Sequence, residues 1–109
     1  MKRLMLAFVF LLPAAGLAAD GKATYDKMCA SCHGADGKGN AEKAKVLKVD
    51  AELLNLGRPE GKGLDRDKLK QILVDGKGKM PAYGKKLKPD EVDPVLDYSL
   101  GLAKAIRGD

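Results

Sequence analysis

Tryptophan is absent, and both phenylalanines, Phe8 and Phe10, stand within the first ten of 109 residues. Beyond them the only aromatics are Tyr25, Tyr83 and Tyr98. So small a chain with so few rings to fill its centre points to a non-protein group inside. No apolar run approaches the roughly 20 residues that span a bilayer. No stretch alternates apolar and polar residues as a half-buried strand does. Basic residues number 20 against 15 acidic, with no interleaving of basic and aromatic side chains, which excludes a nucleic-acid-binding surface. Histidine occurs once and cysteine twice.

The first residues have an order of their own. Lys2 and Arg3 precede an apolar run over residues 4–12, and small residues dominate 13–19. That order is a secretory signal peptide. Cleavage after Ala18 puts Gly16 and Ala18 at −3 and −1, whereas cleavage after Ala19 puts Leu17 at −3. An uncleaved membrane anchor is the alternative. Residues 20–109 are then the single mature domain, with 18 basic residues against 15 acidic and a net charge of +3. Export places it in the periplasm if the source has two membranes.

Both cysteines and the lone histidine fall within five residues, Cys29-Ala30-Ser31-Cys32-His33. A cysteine pair in an exported chain suggests a disulfide, and C-x-x-C suggests a thioredoxin-like redox site. The latter requires a βαβ setting that the flanking residues do not offer. The histidine completes C-x-x-C-H, the attachment motif of a c-type haem. Two thiols three positions apart on a helical turn can add to the two vinyl groups of one haem, Cys29 and Cys32 becoming thioethers. His33 then offers its imidazole to the iron from the same side. Zinc is disfavoured, because these residues supply three ligands with no second Cys/His pair downstream.

The ligand opposite His33 decides what such an iron can do. Met1 and Met5 lie in the signal, leaving Met28 and Met80. Met28 directly precedes Cys29, is tied to the proximal side, and reads as packing. Met80 lies 47 residues beyond His33, in Gly76-Lys77-Gly78-Lys79-Met80-Pro81-Ala82-Tyr83-Gly84. The glycines make this a loop, and Pro81 fixes the backbone just after the sulfur. Axial ligation by Met80 is the reading taken; a gap-filling core methionine is the bland alternative.

The rest reads as helical. Asp20 caps a first helix running into the cysteine motif, with Tyr25 on it. Residues 34–40 form a loop, 41–48 and 51–54 short helices, and 57–63 another loop. Asp65 caps a segment whose Leu69, Ile72 and Leu73 share a face, stopped by Gly76. A final helix starts near Pro89. Pro94 is expected to bend it and Gly101 to end it, leaving 102–109 as a tail.

Taken together, the helix, the haem motif, the G-K-G-K-M-P-A-Y-G loop and the last helix resemble the small monohaem class I c-type cytochromes over essentially the whole mature chain. The resemblance implies an all-α cytochrome c-like fold of three to five short helices wrapped around one covalently attached haem c, with His33 and Met80 as axial ligands. It also implies that the first and last helices cross, Gly21 and Tyr25 meeting Val95 and Tyr98. Two departures stand out. No proline lies between His33 and Pro59, so the carbonyl that usually accepts the second imidazole proton has no obvious counterpart. Pro94 interrupts a helix that is usually continuous.

With both axial positions filled by protein, the expected role is a soluble, monomeric electron carrier rather than an enzyme. It would pass single electrons between redox partner proteins, with transient contact at membrane-bound redox complexes allowed. Lys77, Lys79, Lys85, Lys86 and Lys88 flank the Met80 loop. They either steer an acidic partner or form an ordinary solvated surface. A haem enzyme or gas sensor would need an open sixth position and a proton-transfer group, and the only histidine is already used. A permanently docked subunit of a larger respiratory complex is a third reading.

Overall fold

The computed structural model describes residues 20–108; the signal-peptide reading of residues 1–19 lies outside them. Six α-helices follow in order: α1 (Gly21–Met28), α2 (Ala30–His33), α3 (Ala41–Leu47), α4 (Pro59–Lys62), α5 (Arg66–Asp75) and α6 (Pro89–Arg107). A 3-10 turn, Ala51–Leu54, sits between α3 and α4. Two of the six helices are single turns of four residues, which carries the count past the expected three to five. One of these, α4, forms where a loop over 57–63 was expected, because Pro59 supplies a preset φ at the first helical position.

The helix starts follow capping chemistry. The Asp20 carboxylate accepts from the amides of Lys22 and Ala23 at 3.0 and 3.4 Å. Asn40 accepts from the Lys43 amide at 3.1 Å and Asp65 from the Lys68 amide at 2.8 Å. Each bond satisfies a donor that the first turn cannot pair internally. Gly76 ends α5 at φ 81°, a conformation that costs a side-chain-bearing residue but not glycine.

The core is centred where α1 crosses α6. Tyr25 and Val95 are fully buried there, and the Tyr25 and Tyr98 rings lie 5.3 Å apart at 55°. Gly21 makes the approach close enough. A Cβ at that position would stand 2.2 Å from the Pro94 carbonyl oxygen and 3.1 Å from the Tyr98 Cβ. The crossing of Gly21 and Tyr25 over Val95 and Tyr98 is therefore as the resemblance implied. At the surface, Arg66 of α5 binds Asp93 and Asp97 of α6, and Lys70 binds Asp93.

The expectation that Gly101 ends α6 is corrected. α6 is one helix through Pro94 and through Gly101, ending at Arg107 with no unstructured tail over 102–107. Pro94 withholds a hydrogen bond from the Asp90 carbonyl, but Asp90 lies in the exposed first turn, where water can serve instead. The last turns persist because tertiary packing holds them: Ala103 is buried, and Leu102 and Ile106 lie against the bare backbones of Gly37 and Gly57. That packing outweighs the weak helix preference of one exposed glycine.

Candidate functional site

The cysteine motif begins where α1 stops. Cys29, at φ −114° and ψ −32°, breaks the regular helix, and α2 restarts at Ala30. The Cys29 carbonyl accepts from the amides of both Cys32 and His33, at 3.2 and 3.0 Å, so the two thiols and the imidazole stand on one tight turn. Both thiols are free, Cys29 buried and Cys32 half-buried. Burial, reinforced by neighbouring Cys32, pushes the Cys29 thiol up to about 11. Among the described residues no group of three or more His, Cys, Asp or Glu side chains is placed to hold a metal ion.

The imidazole of His33 is oriented by a partner that the sequence did not reveal. Its Nδ1 lies 2.7 Å from the Leu54 carbonyl oxygen. A carbonyl only accepts, so Nδ1 carries the proton and Nε2 keeps its lone pair. Desolvation holds the ring below its ordinary pKa against the raising effect of that carbonyl, with Arg58 also lowering it, which favours the neutral ligand form. The carbonyl is presented by the 3-10 turn. Leu54 is buried, and the loop after the motif lies directly on the turn: a Cβ on Gly39 would stand 2.8 Å from the Ala51 carbonyl oxygen. The Leu56 amide bonds the Gly37 carbonyl at 2.8 Å, and the Tyr25 hydroxyl donates to the Gly34 carbonyl at 2.7 Å. Thus a carbonyl 21 residues downstream stands where the resemblance implied a proline carbonyl.

Met80 and Met28 are both half-buried and both pack against the core cluster that contains Cys29. The Met80 loop is a tight turn: Lys77 and Met80 exchange backbone hydrogen bonds of 3.0 and 2.9 Å, with Gly78 at φ 58°. The Tyr83 and Gly84 amides then bond the Leu73 and Val74 carbonyls at the end of α5, each at 3.0 Å. The Tyr83 hydroxyl donates to the Met28 carbonyl at 3.1 Å. Sequence reasoning missed this tie, although Tyr83 is the only aromatic among the described residues that lies outside the helix crossing. Lys77, Lys79, Lys85, Lys86 and Lys88 are all exposed and surround the loop in sequence. Lys86 leans over the Tyr83 ring at 5.1 Å, and the Lys88 amide donates to Glu91 at 2.7 Å.

The donor set fits a covalently held haem: two free thiols on one turn, a neutral imidazole with one nitrogen committed to a carbonyl, and a thioether in a pinned loop. Comparison with known proteins agrees. A family model described as cytochrome C oxidase, cbb3-type, subunit III matches residues 16–98. The chain is similar to cytochrome c6 of Gloeothece citriformis, 35% identical over 103 residues, covering 93% of this chain and 86% of that protein. It is also similar to cytochrome c-551 of Halorhodospira halochloris, 34% identical over 85 residues, covering 74% of this chain and 95% of that protein. The solved structure of the KustC0563 c-type cytochrome superposes with a TM-score of 0.62 at 22% identity, covering 76% of this chain and 96% of that one, a likeness of fold.

Proposed function

From the premise that this chain belongs to the small class I c-type cytochromes, an electron carrier with covalently bound haem c, we propose that it works in the periplasm with His33 and Met80 as the axial pair. Cys29 and Cys32 form the two thioether links. The bound haem supplies a one-electron ferric/ferrous couple. The protein holds the ligands still and keeps small molecules off the metal. His33 binds through Nε2 while Leu54 fixes the ring, and a fixed ring keeps reorganisation on electron transfer small. Met80 would supply the second protein ligand, a sulfur that favours the reduced state relative to a second histidine. The single observation that carries this reading is the His33–Leu54 bond, which leaves one ring nitrogen as a ligand and no imidazole in the protein for acid–base catalysis.

The test is the optical spectrum of the ferric mature protein beside that of Met80→Ala. A sulfur-to-iron charge-transfer band in the wild type that is lost in the variant is expected. A wild type without the band that binds carbon monoxide readily after reduction would refute the axial assignment. N-terminal sequencing of the exported protein is expected to start at Ala19 or Asp20; retention of Met1 would refute the cleaved signal. No helix among the described residues is long and apolar enough to cross a membrane.

Docking is assigned to Lys77, Lys79, Lys85, Lys86 and Lys88. None of them is in an ion pair among the described residues, so their charge is available to an acidic redox partner. Electron transfer to such a partner should slow as salt rises, and charge reversal at these lysines should abolish that dependence. Rates indifferent to salt would eliminate steering.

A further inference from the structure

The backbone ties of the Met80 loop all lead back to one element. Lys77 bonds Met80 itself, and Tyr83 and Gly84 bond Leu73 and Val74 of α5. Gly76 and Gly84 lie so close to their neighbours that a Cβ would stand 2.7 Å from the Met80 carbonyl and 2.8 Å from Val74 Cγ1, which couples the loop still more tightly to α5. These contacts set the shape of the loop. They bear on its distance from the cysteine motif, on which the reach of the Met80 sulfur depends, only through the packing of Leu73 and Leu87 in the core with Cys29.

That distance is bridged by a hydrogen bond between the Tyr83 hydroxyl and the Met28 carbonyl, 55 positions away in sequence and immediately before Cys29. The acceptor is available for a specific reason. In an unbroken helix the Cys32 amide would bond the Met28 carbonyl. The break at Cys29 turns that amide to the Cys29 carbonyl instead, and the Met28 oxygen is left to Tyr83. Tyr83 is held at several other points: its amide bonds Leu73, its carbonyl accepts from Lys86 and Leu87 at 3.0 Å each, and Lys86 covers its ring. A hydroxyl on so constrained a residue has little freedom to take another partner.

We infer that Tyr83 is a positioning residue for the sixth ligand: its hydroxyl clasps the Met80 loop to the last residue of α1 and so keeps the sulfur from being displaced. The inference rests on the reading of Met80 as the axial ligand. Tyr83→Phe removes the clasp and leaves the ring. Loss of Met80 from the metal is read by exogenous imidazole, which binds ferric protein only as the sulfur leaves. Imidazole affinity of the ferric holoprotein should rise about three- to tenfold in Tyr83→Phe, the factor in equilibrium that one ordinary hydrogen bond supplies. In a Met80→Ala background there is no sulfur to displace, so adding Tyr83→Phe should change the affinity less than about twofold. An unchanged affinity in the wild-type background overturns the clasp, and so does an equal rise in both backgrounds, since that would be a general opening of the fold. A wild-type spectrum without the sulfur charge-transfer band overturns both the clasp and the ligand assignment, which separates the two failures.

Discussion

Replacing Gly21 with alanine adds one methyl group at the helix crossing, and the surroundings of that methyl decide the outcome. Its carbon would stand 2.2 Å from the Pro94 carbonyl oxygen, 2.8 Å from the Pro94 carbonyl carbon and 3.1 Å from the Tyr98 Cβ. Close carbon–oxygen contacts settle near 3.3 Å, so α1 and α6 must separate by about 1 Å. The oxygen belongs to helical backbone and cannot move alone. Separation also disturbs fully buried Tyr25 and its 5.3 Å ring contact with Tyr98. Overpacking of this kind costs about 1–3 kcal/mol, against at most about 1 kcal/mol gained by replacing a helical glycine. A net loss of about 1 kcal/mol is expected, lowering the melting temperature of a domain this size by about 4–8 °C. Gly101→Ala is the matched control: Gly101 also lies in a helix of the crossing pair, but an added Cβ meets nothing within 4 Å. It should stabilise by about 0.5–1 kcal/mol. Guanidinium unfolding of the ferric holoproteins, followed by far-ultraviolet circular dichroism, measures both. Gly21→Ala within about 0.5 kcal/mol of wild type, or an equal loss in Gly101→Ala, would refute the reasoning.

Gly76→Ala combines a left-handed φ of 81° with a Cβ 2.7 Å from the Met80 carbonyl. With ψ at 169° this is a region essentially reserved for glycine, so the conformation alone costs about 1–3 kcal/mol, and weakening of the ferric sulfur charge-transfer band at temperatures where circular dichroism is unchanged is the expected sign. An intact band would show that the loop tolerates the side chain. For Asp93, Lys70 first and then Arg66 hold the carboxyl below its ordinary range. A carboxylate with a depressed folded pKa stabilises above its unfolded value, near 3.9, and loses that stabilisation as pH falls through the folded value. All three groups are exposed, so the effect is small and screened by salt. Unfolding midpoints of wild type and Asp93→Asn should therefore differ at neutral pH and low salt and converge on acidification; a difference that grows toward acid would reverse the assignment.

Much of this protein can be read locally. The proposed roles of Cys29, Cys32 and His33 come from spacing, because attachment to one haem requires that spacing on one helical turn. Asp20, Asn40 and Asp65 announce helix starts through a carboxylate or amide that reaches amides two or three residues ahead. Pro59 also carries a local signal for α4 among the glycines of 57–63. The end of α6 is not legible at Gly101, because intrinsic preference marks a stop there, whereas Leu102, Ala103 and Ile106 hold the later turns by contact with loops far away in sequence. The same division applies to the site. The sequence by itself determined the cofactor, the family and the two candidate axial residues, since these depend on residue type and short spacing. Only the tertiary structure decided that the Leu54 carbonyl orients His33 and that the Met28 carbonyl receives Tyr83. Every residue carries a backbone carbonyl, so no side-chain pattern marks which one the folded chain will bring to a given donor.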